Sequence, residues 1–240
     1  MSKNTDPDFH VCRGNAVAIP EYIYKLYSWA YLHPWSVRFF DRQWVVNFIL
    51  WGNYKRLRDF ALDAVGKRIS GRTLQVACVY GDFTPRLVTR LAADATLDVV
   101  DILPIQLHNL SRKLSGVDNI QLYQCNSGTL GFADNAAYDQ AVLFFLLHEQ
   151  PEETRRATLE EVFRVVKPGG KIVIFDYHKP SAWHPLRYLM WFVLRWLEPY
   201  ALDLWQQELT SWMPDPASVK YLSKDTSFGG LYQHVVIEVE

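Results

Sequence analysis

Between Thr73 and His178 the chain alternates between two hydrophobic periods. TLQVACV (73–79), TLDVVDI (96–102), IQLYQC (120–125), YDQAVLFFLL (138–147) and KIVIFDYH (171–178) are apolar runs. Between them lie TPRLVTRLAA, LPIQLHNLSRKLS and PEETRRATLEEVFRVV, whose apolar residues recur every three or four positions. Continuous apolar strands separated by amphipathic helices predict a parallel sheet buried on both faces. Thr84 is the expected N-cap of the first of these helices, with Pro85 at its first position. Gly116 ends the second helix, and KPGG stops the third.

The flanks read differently. Glu21 to Val65 is helical in pattern and heavy in aromatic residues. Phe40, Trp44, Phe48 and Trp51 follow at spacings of four, four and three, which predicts one helix face. A second aromatic segment, 181–213, predicts one or two helices. SVKYLSK and LYQHVVIEVE, joined through FGG, predict a hairpin closing the sheet edge. The expected organisation is a flexible N-terminus (1–20), a helical cap (21–70) and an α/β domain (71–240) with an aromatic helical insert at 181–213.

Composition narrows the function. A chain of 240 residues is expected to be one domain with a sizeable core. A net charge of −1 gives no basic footprint for nucleic acid. The aromatic share is 15%, including nine tryptophans, which points to a large aromatic substrate or to a surface that touches lipid. Cys12, Cys78 and Cys125 are far apart, so neither a disulfide framework nor a zinc knuckle is expected, and a reducing cytoplasm fits. The polar start MSKNTDPDFHVCRGN has no signal core. No apolar run reaches the roughly 18 residues of a membrane span.

The order of motifs over residues 72–180 resembles the class I S-adenosylmethionine (SAM)-dependent methyltransferases. TLDVVDILP resembles the strand whose terminal acid, here Asp101, binds the ribose hydroxyls. NIQLYQCNSGTLGF resembles the adenine segment, which puts Asn126 and Ser127 at that contact. LEEVFRVVKPGGKIVIFDYHKP resembles the last helix, P-G-G turn and fifth strand. The implied fold is a Rossmann-like class I SAM-dependent methyltransferase fold with an N-terminal helical cap and a helical insert after the fifth strand. The implied SAM-contacting set is Val76, Ala77, Cys78, Tyr80, Gly81, Asp101, Ile102, Asn126, Ser127 and Phe144.

The first loop departs from that pattern. Where the family usually has an acid followed by three alternating glycines, this chain has Gln75, Ala77, Val79 and Gly81. Val79 fills space where the amino-acid half of SAM normally lies. Tyr80 adds a phenol, and Asp82 a carboxylate at the mouth of the turn. With the segment IPEYIYKLYSWAYLHPWSVRFFDRQWVVNFILWGNYKRLRDFALD, the VACVYGD loop resembles the rhodoquinone biosynthesis protein family. That resemblance implies conversion of ubiquinone to rhodoquinone, a ring methoxy group being replaced by an amine. SAM is then the amino donor, and a divalent metal, manganese preferred, takes part.

Tyr80, Asp82, His148 and His178 are the expected catalytic residues. Asp176 and His178, with His148 or Glu149, form an expected metal set, because residues two apart on a strand share a face and N/O ligands suit manganese. The aromatic segments predict docking on the inner face of the cell membrane without spanning it, with Arg187 and Arg195 reaching lipid phosphates. The oligomeric state stays open, a homo-oligomer included. Two rivals stand beside this reading: a conventional SAM-dependent quinone or lipid methyltransferase, and a non-catalytic quinone-binding subunit.

Overall fold

The computed structural model describes residues 9–12 and 17–240. Among the described residues eight strands form one sheet: β1 (His10–Val11), β2 (Arg72–Val76), β3 (Thr96–Asp101), β4 (Ile120–Gln124), β5 (Tyr138–Phe144), β6 (Val166–Tyr177), β7 (Val219–Ser227) and β8 (Tyr232–Val239). Their spatial order is β1-β4-β3-β2-β5-β6-β8-β7. The first six are parallel to their neighbours. β8 pairs antiparallel with β6, and β7 with β8, so the hairpin closes the edge as the sequence predicts.

The parallel strands are apolar because both of their faces are covered. Leu74, Val76, Leu97, Val99, Val142, Leu143, Ile172 and Ile174 are fully buried. Burying one such side chain contributes about 1.5–3 kcal/mol. The helices are α1 (Ser28–Tyr31), α2 (Pro34–Phe40), α3 (Gln43–Ile49), α4 (Tyr54–Val65), α5 (Phe83–Val88), α6 (Pro104–Lys113), α7 (Glu152–Val165), α8 (Arg187–Leu197) and α9 (Asp203–Gln206). In α4, Tyr54, Leu57, Ala61, Leu62 and Val65 form the buried stripe, spaced by three or four residues.

Several boundaries differ from the sequence reading. Phe40 ends α2, Trp44 and Phe48 lie on α3, and Trp51 sits in a turn with φ 53°. They therefore do not share one helix face: the chain turns at Asp41–Arg42 and again at Trp51–Asn53. Thr84 is not an N-cap. α5 begins at Phe83 with Asp82 in the cap position, and Thr84 is wholly buried inside the helix. β5 ends at Phe144, not Leu147, because Leu147–Glu149 turns into a single 3₁₀ turn. β6 begins at Val166. Its KPGG is an excursion within the strand, since Tyr138 faces Val166 while Gln140 already faces Lys171. Part of the expected flexible N-terminus lies outside the described residues. Within the described part, His10–Val11 adds a parallel edge strand to β4.

Candidate active site

β2 runs out to β3 and β4 on one side, and the chain then returns to place β5 on the other side of β2. Ligands of open α/β sheets bind at such a reversal, beyond the carboxyl ends of the strands. A cleft opens there, enclosing about 1430 Å³ counted out to its open mouth. Its floor comes from the loops after β2, β3, β4 and β5, and its roof from cap residues such as Tyr22, Tyr31, Phe40 and Ile49.

Of the residues expected to contact SAM, Ala77, Cys78, Tyr80, Asp101, Ile102, Asn126, Ser127 and Phe144 all line this cleft. Val76 and Gly81 do not. Val76 is a fully buried strand residue, and Gly81 faces the cap. Asp101 ends β3, where its Oδ2 accepts from Cys78 N (2.7 Å) and its Oδ1 from Leu103 N (2.8 Å). Burial lifts its carboxyl to about 6 against the pull of those backbone bonds. Each carboxylate oxygen keeps a second lone pair, enough to accept from a vicinal diol. Asn126 closes its own turn through Oδ1 to Gly128 N (2.9 Å), and Ser127 Oγ lies 2.8 Å from Thr158 Oγ1.

The rebuilt loop is tied to the cap. Ala77 holds φ 73°, a conformation usually left to glycine, and is braced by Ala77 N to Val100 O (2.8 Å) and Gln75 Nε2 to Ala77 O (2.9 Å). Tyr80 donates its hydroxyl to Ala30 O (3.0 Å) and accepts from Gln106 Nε2 (2.7 Å). Burial raises its pKa far above that of an ordinary phenol. Its ring stacks on Tyr31 at 5.6 Å. Gly81 N donates to Asp41 Oδ1 (3.0 Å), while Lys113 Nζ bonds both Asp41 Oδ1 and Gly81 O.

Asp82 is turned out of the cleft. Its carboxylate takes both Oδ1 and Oδ2 contacts from Arg58 Nη1 at 2.8 Å, a bond from the Tyr54 hydroxyl (3.0 Å) and another from Arg86. Burial would raise its pKa, but these donors outweigh it and hold the carboxyl at about 2. The structure thus makes Asp82 a lock between loop and cap.

The expected metal set does not assemble. Asp176 is wholly buried: Oδ2 accepts from Leu147 N (2.8 Å), and Oδ1 lies 2.8 Å from His148 Nδ1. His148 Nε2 is 2.8 Å from Glu198 Oε2. His178 lies just past the end of β6, where alternation no longer governs it, and its Nδ1 is 2.9 Å from Gly230 O. Among the described residues no group of three or more His, Cys, Asp or Glu side chains is placed to hold a metal ion. Asp176 and His148 form a hydrogen-bonded pair here, not a metal-ligand set.

Sequence reasoning underrated the other side of the cleft. Glu149, one residue past His148, lines it, and so does Glu198 at the end of α8. Burial lowers the affinity of His148 for its proton, but Asp176 and Glu198 outweigh burial and raise its pKa well above the usual value. Glu149 is lifted to about 8, chiefly by burial, with Glu198 adding to the rise and His148 opposing it. Arg155, fully buried, fixes this corner by donating to Leu147 O, Gln150 O and Tyr200 O at 2.9–3.0 Å while lying 4.3 Å over the Trp212 ring. The signal in the sequence was the dipeptide His148-Glu149 directly after an apolar strand. Nothing local marked Glu198, Tyr31 or Arg155.

Known proteins agree with this architecture. The chain is 27% identical over 137 residues to the ubiquinone/menaquinone biosynthesis C-methyltransferase UbiE of Pasteurella multocida, which covers 56% of this chain and 50% of that protein. It is 30% identical over 136 residues to a demethylmenaquinone methyltransferase of Staphylococcus saprophyticus, covering 57% of each. The matches thus span about half the length of these curated relatives. Among solved structures, the N-methyltransferase NodS from Bradyrhizobium japonicum in complex with S-adenosyl-L-homocysteine superposes with a TM-score of 0.53 at 13% identity, over 78% of this chain and 85% of that one. The profile of the ubiE/COQ5 methyltransferase family matches residues 41–213, from the cap through the aromatic insert. The chain has a Rossmann-like class I methyltransferase fold and belongs to the ubiE/COQ5 methyltransferase family.

Proposed function

We propose that this chain transfers a group from SAM to the ring of a lipid-tailed quinone, and that the group is the amino group, so that ubiquinone becomes rhodoquinone. The observation that carries the reading is the division of the cleft. Asp101, Ile102, Asn126 and Ser127, the residues expected for the adenosine half, share its wall. The half expected for the amino-acid moiety is rebuilt with Val79 and Tyr80, on a loop bonded to the cap at Ala30 and Asp41. Such a loop supports a changed pose in which the amine, not the methyl, meets the ring. A methoxy-bearing quinone carbon is conjugated to a carbonyl, so a neutral amine adds there and methanol leaves. The nitrogen is then freed by elimination: a proton leaves Cβ of the SAM side chain, its bonding pair forms a Cα=Cβ double bond, the N–Cα pair stays on nitrogen as that bond breaks, and the aminoquinone nitrogen takes up the proton.

Methyl transfer is the second reading, and the family match favours it. Product mass decides between them. Purified protein is incubated with SAM carrying ¹⁵N in its amino group and deuterium in its methyl, with ubiquinone in one arm and a quinol lacking the ring methyl in the other, each with and without a divalent cation. The amination reading requires ¹⁵N in a ring that has lost methoxy. A deuterated methyl on the ring establishes methyl transfer instead. A chain that binds no SAM in calorimetry is a non-catalytic subunit.

We assign the quinone's route of access to a lipid surface. Trp35, Trp44, Phe48, Trp183, Tyr188 and Trp196 are exposed, several of them by more than 70%. The two aromatic segments meet where Trp51 Nε1 approaches Met190 Sδ at 2.8 Å. Exposed aromatic area of this kind marks an interaction site, and Trp29, Phe40 and Ile49 continue it into the cleft roof. Among the described residues no helix is long and apolar enough to cross a membrane, which fits a surface that docks on lipid.

A further inference from the structure

Proton transfer is needed whichever group SAM donates, and most acidic and basic groups at the cleft are already committed. The Tyr80 hydroxyl both donates and accepts within the protein. Asp82 is locked to Arg58 and Arg86 outside the cleft. Both ring nitrogens of His148 face carboxylates at 2.8 Å, and Asp176 is spent on that ring and on backbone amides. Asp101 holds two backbone amides at the end of β3.

Two carboxylates of the cleft remain, Glu149 and Glu198, and Glu198 Oε2 is held 2.8 Å from His148 Nε2. The Glu149 side chain keeps 21% exposure and lines the cleft. One oxygen, Oε1, accepts a short bond from the Tyr31 hydroxyl and lies 3.9 Å from His148 Nε2. Among the described residues no donor bonds Oε2. Tyr31 stacks on Tyr80, so the carboxyl is linked through Tyr31 to the rebuilt loop.

We propose that Glu149 is the catalytic proton acceptor of this site, oriented by Tyr31 and steadied as a carboxylate by the clamped His148 imidazolium. The inference rests on the reading that the cleft holds SAM and a quinone ring. In amination, a C–N bond forms between the SAM nitrogen and the methoxy-bearing carbon. One N–H proton passes to the Glu149 carboxylate and leaves with methoxide as the C–O bond breaks, giving methanol with no net oxidation. In methyl transfer, the quinol ring carbon takes the methyl, sulfur keeps the S–C bonding pair, and the ring proton passes to Glu149 and on to solvent. The charged neighbours of Glu149 are Glu198 and Asp176, which oppose its ionisation, and His148, which favours it. Tyr22, Tyr27, Tyr31, Tyr80 and Tyr177 also face it, and burial keeps all of them protonated. A carboxyl lifted to about 8 is protonated at rest and becomes a competent base just above neutrality.

The test compares wild type with Glu149→Gln, Glu149→Asp and His148→Gln, all full-length, on vesicles containing the quinone established as substrate. Glu149→Gln should lower turnover about 10²–10⁴-fold, the usual range for a lost acid–base group, while SAM affinity by calorimetry stays within about threefold. Glu149→Asp should retain an intermediate rate. Wild-type kcat should rise with pH through a limb near 8 that is missing in Glu149→Gln. In His148→Gln the limb should move upward, because the neighbouring cation is gone. Turnover in Glu149→Gln within about threefold of wild type, or a limb that survives in it, overturns the proposal. If that variant does not fold, the wild-type profile decides, and no limb between about pH 7 and 9 overturns it. A wild type that yields neither aminated nor methylated quinone fails the parent reading, and this inference with it. An active wild type with an active Glu149→Gln fails this inference alone.

Discussion

Gly81 is where the loop meets the cap most closely, so Gly81→Ala tests that junction directly. Its φ is +85°, and an added Cβ would stand 2.4 Å from the Tyr54 hydroxyl oxygen and 2.8 Å from Tyr54 Cζ. A non-glycine residue in this region costs about 1–2 kcal/mol. The tyrosine must also move, although its ring is 1% exposed and its hydroxyl accepts from Asp82 N at 2.8 Å and donates to Asp82 Oδ1 at 3.0 Å. Losing those two bonds adds about 1 kcal/mol each, so the whole cost is about 3–4 kcal/mol. Gly116 provides the control. Its φ is also +85°, but nothing lies within 4 Å of an added Cβ, so Gly116→Ala should cost only the conformational 1–2 kcal/mol. For a chain of this size 1 kcal/mol moves Tm by about 2–4 °C. Thermal melts should therefore show Gly81→Ala down by roughly 10 °C and Gly116→Ala by roughly 4 °C. SAM affinity should fall only in Gly81→Ala, because only that glycine shares a loop with Ala77 and Cys78. Equal melting shifts in the two variants would refute the close approach and the coupling of loop to cap.

Asp101→Ala should weaken SAM binding about tenfold or more in a folded protein, since a charged hydrogen bond contributes about 1.5–3 kcal/mol; calorimetry showing unchanged affinity would remove Asp101 from the ribose site. The Asp82 carboxyl is depressed to about 2, so its contribution is present above the carboxylate's ordinary pKa and is lost as pH falls toward 2; acid unfolding should be shallower in Asp82→Asn over that window, and identical curves would count against the Arg58–Asp82–Arg86 lock. Replacing Trp44, Phe48 and Trp196, which are 60%, 79% and 73% exposed, together with glutamate should abolish flotation with vesicles at little cost in Tm; undiminished flotation would place the lipid contact elsewhere.

The architecture was legible because it rests on local periodicity. Apolar runs such as YDQAVLF fall on buried strands, and PEETRRATLEEVFRVV is α7 almost residue for residue. The order of those motifs placed Asp101, Asn126, Ser127 and the 77–80 loop on one cleft, since the ends of parallel strands converge wherever strand order reverses. What the sequence could not decide was direction and distance. Alternation along a strand predicted a shared face for Asp176 and His178, but β6 ends between them, and each finds its own partner. Asp82 looked like an active-site acid until Arg58, 24 residues earlier on α4, claimed it. Glu149 owes its raised proton affinity chiefly to burial, with Glu198 of the insert adding to the rise and a bond from Tyr31 of the cap, 118 residues away, opposing it. Burial and long-range charge set a carboxyl's proton affinity, and both are properties of the folded chain, to which no short stretch of sequence has access.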